Sequence, residues 1–216
     1  MDREKFFSRL LEITTIILND NVEVNAPVVY LFGQTSDNQS SVFNRGKELW
    51  KKGLVASILI DDGDDKHGYP GYQSWRKELL RMEVAETAIL PLQGNLITKN
   101  INTLTEAQTL VRYAQSQRWK RIYITAAPFH QLRAFITVVS VALREYPELA
   151  IYNAVGTHLD WFEETRHSQG TLRAKRIELI KTEMERIEKY HKKGDLVSPE
   201  EIFAYLEWRD TTKEIV

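Results

Sequence analysis

The chain of 216 residues carries 29 Lys and Arg against 30 Asp and Glu, a formal charge of −1, so no global field draws it to nucleic acid or to an anionic membrane. Zero cysteines exclude disulfides, thiolate metal sites and a cysteine nucleophile. With 43% hydrophobic residues, a chain of this length is expected to form one α/β domain with appendages and to bury a substantial core.

Residues 1–26 read as an N-terminal amphipathic helix, with Phe6, Leu10, Ile13 and Ile17 on one face. Arg9, Glu12 and Asp20 interrupt the apolar run, which is too short and too charged to span a bilayer and lacks a secretory cleavage pattern. A cytoplasmic location is the expectation. From residue 27 to 157 two periodicities alternate. Apolar runs of strand length stand at residues 28–32, 54–60, 87–90, 122–124 and 150–152, and segments of helical spacing at 41–52, 72–82, 103–118 and 128–144. Continuous apolar strands joined by helices predict a mostly parallel, doubly wound sheet in a three-layer Rossmann-like α/β fold, with strand order 3-2-1-4-5.

Residues 158–216 read as a helical extension packed on the same domain. The spacing predicts one charged helix over 170–193, with Leu172, Ile177, Ile180, Met184 and Ile187 on a stripe. Ser198-Pro199-Glu200-Glu201 is a capping box that opens a final helix through Ile202, Tyr205, Leu206 and Trp208. These helices either close one side of a crevice or make a homodimer contact. His158, Asp160 and Trp161 either reach a ligand or pack as aromatic neighbours.

The predicted strand order puts the topological switch between the first and fourth strands, where open α/β sheets bind ligands. Gly33-Gln34-Thr35, Thr125-Ala126-Ala127 and Asn102-Thr103 converge on that edge. After the strand Arg121-Ile-Tyr-Ile-Thr125 the chain breaks at Pro128 into a helix opening Phe129-His130-Gln131-Leu132-Arg133, which sets His130 and Arg133 on one face near a helix N-terminus. That location and the neighbouring guanidinium disfavour imidazolium, so His130 is a candidate catalytic base; the competing role is packing beside the sheet. Arg133 offers a fork to phosphate or carboxylate. A base with an anion clamp suits hydrolysis or group transfer on a phosphorylated substrate, and suits passive nucleotide binding equally.

Other polar residues have two roles open to them. Thr103-Leu104-Thr105-Glu106 matches a capping box, which competes with ligand contacts from Thr103 and Glu106. Arg45 stands either at the same edge or against a structural acid. The turn Asp61-Asp62-Gly63-Asp64-Asp65 with His67 is an Mg²⁺ or Ca²⁺ candidate, an acceptor of ribose hydroxyls through Asp61 and Asp62, or a plain surface turn, and no metal is assigned to it. Gly68-Tyr69-Pro70-Gly71-Tyr72 is a lid or an ordinary loop. Gly33 stands outside any G-x-G-x-x-G pattern, which weakens both a dinucleotide site and a conventional S-adenosylmethionine methyltransferase.

Gly33, Arg45 with Leu49 and Gly53, Asn102-Thr103, and Phe129-His130-Gln131-Leu132-Arg133-Ala134, in that order, resemble the YdcF/SanA/ElyC-like family of α/β proteins over about residues 27–155. The resemblance implies a pocket at the carboxyl edge of the sheet. It also implies a ligand class that includes S-adenosylmethionine, after one member that looks like a binder of it, and a link of membrane-anchored members to bacterial envelope biogenesis. Lacking the anchor, the chain looks like the soluble YdcF-like branch. It departs from the pattern at Glu106, one residue beyond the family's acid, and at Asp61–Asp65, where a Ser-Gly-Gly type of turn is usual. The expected function is binding of a small nucleotide-like or phosphorylated ligand, with hydrolase or transferase chemistry open; the alternative is a non-catalytic sensor or an interaction protein.

Overall fold

The computed structural model describes residues 2–20, 23–65, 68–93, 102–167 and 171–211. Five strands, β1 (Ala26–Leu31), β2 (Val55–Asp61), β3 (Ile89–Leu92), β4 (Arg121–Thr125) and β5 (Ala150–Asn153), form a parallel sheet in the order β3-β2-β1-β4-β5. That is the expected topology, with its switch between β1 and β4. Their apolar runs are continuous because helices cover both faces: Leu31, Ile58 and Ile60 pack with Val42 and Leu49 of α2 (Gln39–Lys51) and with Trp75 and Leu79 of α3 (Tyr72–Arg81).

On the opposite face Tyr30, Phe32, Leu59 and Ile124 meet α4 (Thr103–Ser116) and α5 (Gln131–Glu145). The N-terminal α1 (Arg3–Leu18) buries Phe6, Leu10, Ile13 and Ile17 in this same core, which makes it part of the sandwich. The final α7 (Pro199–Thr211) joins through Ile202, Tyr205 and Leu206, opened by the expected box in which Ser198 and Glu201 bond reciprocally. Enclosed by these neighbours, α5 is apolar nearly all round, as a helix without a solvent face must be. Arg209 and Asp20, both buried, pair at 2.6 Å, and Asp20 also accepts from the Asn153 backbone at 2.9 Å, tying α1, α7 and β5 together.

The expected single helix over 170–193 is replaced by a hairpin and a shorter helix. Strands β6 (Glu164–His167) and β7 (Leu172–Lys175) pair antiparallel, and α6 runs Arg176–Lys192. Leu172 therefore lies on β7, not on the helical stripe. Arg176, 2% exposed, starts α6 and donates to Asn38 Oδ1 at 2.9 Å and to the Asp37 carbonyl at 2.9 Å, while Thr35 Oγ1 and Asn38 Nδ2 donate to the Arg166 carbonyl at 2.9 and 3.1 Å. The hairpin is thereby latched over the β1–α2 loop, above the switch point. Among the described residues, no helix is long and apolar enough to cross a membrane.

Candidate functional site

Beyond Phe32 the chain leaves β1 at Gly33, and α4 presents Glu106 to it. Glu106 Oε1 accepts the Gly33 N–H at 2.9 Å and the Tyr30 hydroxyl at 3.0 Å. A Cβ on residue 33 would lie 3.3 Å from that oxygen, so the absence of a side chain permits the approach. At the end of β2, Asp61 Oδ1 accepts from the Gly63 N–H at 2.8 Å, and the Asp61 carbonyl accepts from the Tyr69 hydroxyl at 2.8 Å. Glu106 is 5% exposed and Asp61 2%, and among the described residues neither forms an ion pair with a cation.

Two buried carboxyls without a cation are costly to ionise. Burial, with the Asp61 charge adding, pushes Glu106 up to about 7 against the opposing Gly33 N–H, Tyr30 hydroxyl and Arg133. Burial likewise raises Asp61 to about 6, against the Gly63 N–H and with Asp62 adding. At neutral pH this pair has protons to give and to accept, which is the condition for acid–base work and for recognising hydrogen-bond donors on a ligand.

The capping box of α4 lies one residue earlier than the Thr103–Glu106 pattern predicts. Asn102 accepts from the Leu104 and Thr105 N–H groups at 2.9 and 3.1 Å, and Thr105 Oγ1 accepts from the Asn102 N–H at 3.0 Å. Asparagine is among the strongest N-caps, so it takes the role and releases Glu106 to face Gly33. Exposed Asn102 is thus bound by its own helix. Asn102→Ala is expected to cost about 1 kcal/mol in a urea titration, with the slope m unchanged.

His130 and Arg133 lie together near the start of α5, as their spacing predicts, and Thr103 of α4 meets both. Gln34 Nε2 donates to His130 Nδ1 at 3.3 Å, which puts the imidazole proton on Nε2, 3.3 Å from Thr103 Oγ1. Burial, reinforced by Arg133, holds His130 well below the ordinary histidine range, so the ring is neutral. Its basic lone pair faces the Gln34 amide.

Arg133 meets a carboxylate, but the protein's own. Its Nε and Nη2 fork onto the two oxygens of Glu183 in α6, the latter at 3.4 Å, and its Nη1 donates to Thr103 Oγ1 at 2.6 Å. Glu183 Oε1 also accepts from His167 Nε2 at 2.9 Å and Arg186 Nη1 at 3.1 Å. Burial alone would raise the Glu183 carboxyl; Arg133 and the His167 hydrogen bond prevail and hold it well below the usual carboxylate range.

The remaining candidates separate from this cluster. Thr35 serves the hairpin through the Arg166 carbonyl. Arg45 donates to the Val155 carbonyl at 2.8 Å and pairs with Glu48 at 2.6 Å, the structural-acid alternative. Thr125 is in register with Leu31, which packs on α2, so its side chain lies on the sheet face opposite Glu106; its buried hydroxyl has no hydrogen-bond partner among the described residues. Tyr69 is buried on Trp75, and Gly71 takes φ +83, where a Cβ would lie 2.7 Å from the Asp65 nitrogen, so residues 65 and 71 are in close approach. His67 lies outside the described residues, among which no group of three or more His, Asp or Glu is placed to hold a metal ion.

Tyr30, His167 and Glu183 are members of the site that the motifs do not single out, and Tyr69, read as part of a lid or loop, joins it through the Asp61 carbonyl. For Glu183 a signal existed: it follows Leu179 and precedes Ile187 at four-residue spacing, an acid on an apolar stripe. No protein-family model matches the chain, and no curated protein or solved structure matches it, so the roles of these residues rest on their geometry.

Proposed function

We propose that this chain binds a small nucleoside-like ligand at the carboxyl edge of its sheet, with Asp61 and Glu106 accepting the ligand's hydroxyl or amino protons. The observation that carries this is the pair of buried carboxyls, Asp61 at the end of β2 and Glu106 of α4 beside Gly33, without a cationic partner among the described residues. In doubly wound folds an acid after the second strand accepts ribose hydroxyls, and Asp61 holds that position. S-adenosylmethionine, with a ribose diol and a sulfonium charge, belongs to the class and is also what the YdcF-like resemblance implies. A second reading, catalysis with Glu106 as general acid–base group, is favoured by its placement near neutrality.

The test is calorimetry with adenosine, S-adenosylmethionine and S-adenosylhomocysteine on the wild type, Glu106→Gln and Asp61→Asn. Each variant loses one charge-assisted acceptor, and about a tenfold loss of affinity is expected for each. Equal binding by all three proteins, or by none, removes the carboxyl pair from the ligand's path.

A further inference from the structure

We infer that Glu183 is a specificity-determining residue: by neutralising Arg133 in advance, it commits the crevice to ligands that bring no phosphate or carboxylate to that position. This rests on the carboxyl edge being a ligand site, and it names what the site refuses.

Without Glu183, the residues at the switch point make an anion site. Arg133 stands in the first turn of α5, Arg186 converges on the same point from α6, and the Thr103 hydroxyl adds a polar oxygen. A helix N-terminus with a forked guanidinium is the arrangement that takes phosphate or carboxylate. Into it α6 inserts a carboxylate, and Arg133 holds its two oxygens in the forked geometry a bound anion would take.

Glu183 is 2% exposed, and the Arg176 latch fixes the start of the helix that carries it. The carboxylate is therefore a built-in occupant. Arg133 donates to Thr103, one helical turn before Glu106 on α4, so the arginine cluster and the carboxyl pair adjoin. An incoming phosphate meets a guanidinium already neutralised, beside two carboxyls that repel it. This is specificity by repulsion as much as by attraction.

The test uses the full chain, inorganic phosphate at ionic strength matched with chloride, and adenosine against adenosine 5′-monophosphate. Glu183→Gln is expected to acquire phosphate-dependent thermal stabilisation absent from the wild type, and to bind the monophosphate ~10-fold more tightly than the wild type does. Arg133→Gln added to Glu183→Gln should abolish the gain, a dependence that a merely structural tether would not show. Should Glu183→Gln fail to fold in chloride, Glu183→Asp, which withdraws the charge by one methylene, carries the same comparison with an expected gain of ~3-fold. Folded variants that gain no response to phosphate overturn the inference. A phosphate gain with no adenosine binding by the wild type would sustain the role of Glu183 and overturn the nucleoside-binding proposal; adenosine binding with no gain would do the reverse.

Discussion

Arg133→Ala should lower folding stability by about 3–5 kcal/mol, the cost of removing one partner from a buried ion pair. The substitution strips Glu183, whose side chain is only 3% exposed, of its forked donor and leaves it Arg186 and His167. It also removes the donor to Thr103 at the start of α4. Arg133→Lys should recover little, because an ammonium cannot span both carboxylate oxygens and the threonine hydroxyl. Urea titration monitored by tryptophan fluorescence measures this directly. An arginine kept only for an external ligand would leave the midpoint unchanged, and that result would refute the ion-pair account. The sign with pH follows from the depressed carboxyl. Its stabilisation is complete above its ordinary value of 4.5 and is lost as pH falls below that value through the folded one, and the loss should be smaller in Arg133→Ala.

Glu106→Gln should do the opposite and stabilise the protein at pH 8 by about 2–3 kcal/mol. The carboxyl goes from an ordinary 4.5 to about 7 on folding, so between those values the folded chain binds more protons than the unfolded one and stability falls as pH rises. Asp61 adds the same sign from 3.8 to about 6. Glutamine keeps an oxygen for the Gly33 and Tyr30 donors without the ionisation cost. The variant should therefore flatten the pH 4.5–7 limb of the stability curve while weakening ligand binding, a trade of stability against function. An unchanged limb in a folded variant would show that Glu106 ionises freely, and would take away its suitability for proton transfer.

The sheet was legible because each strand is an apolar run and each crossover has helical period, so topology followed from order alone. The hairpin was not. Glu164-Thr-Arg-His167 and Leu172-Arg-Ala-Lys175 are four residues each and largely polar, and the second merges with the period of the helix it precedes. His130 and Arg133 were visible through three-residue spacing at a strand-to-helix break, and the lowered imidazole in part through the neighbouring guanidinium, though burial is its larger cause. What occupies Arg133 was hidden, because Glu183 lies 50 residues away in a segment crowded with charge. The α4 cap failed for a different reason: two overlapping cap patterns competed, and the stronger residue, Asn102, prevailed. That one-residue shift decides whether Glu106 is a helix cap or a member of the site.

The latch of β6 and α6 over the β1–α2 loop also orders events during synthesis. Thr35 and Arg166 are 131 positions apart, and Asn38 and Arg176 138. Every strand of the five-stranded sheet is synthesised before α6, so the latch closes on a loop made long before its partners. Until α6 is made, Arg133 has no Glu183 to pair with. The contacts that hold the hairpin over the switch point are therefore among the last long-range contacts the chain can make, followed by those that seat α6 and α7 on the core.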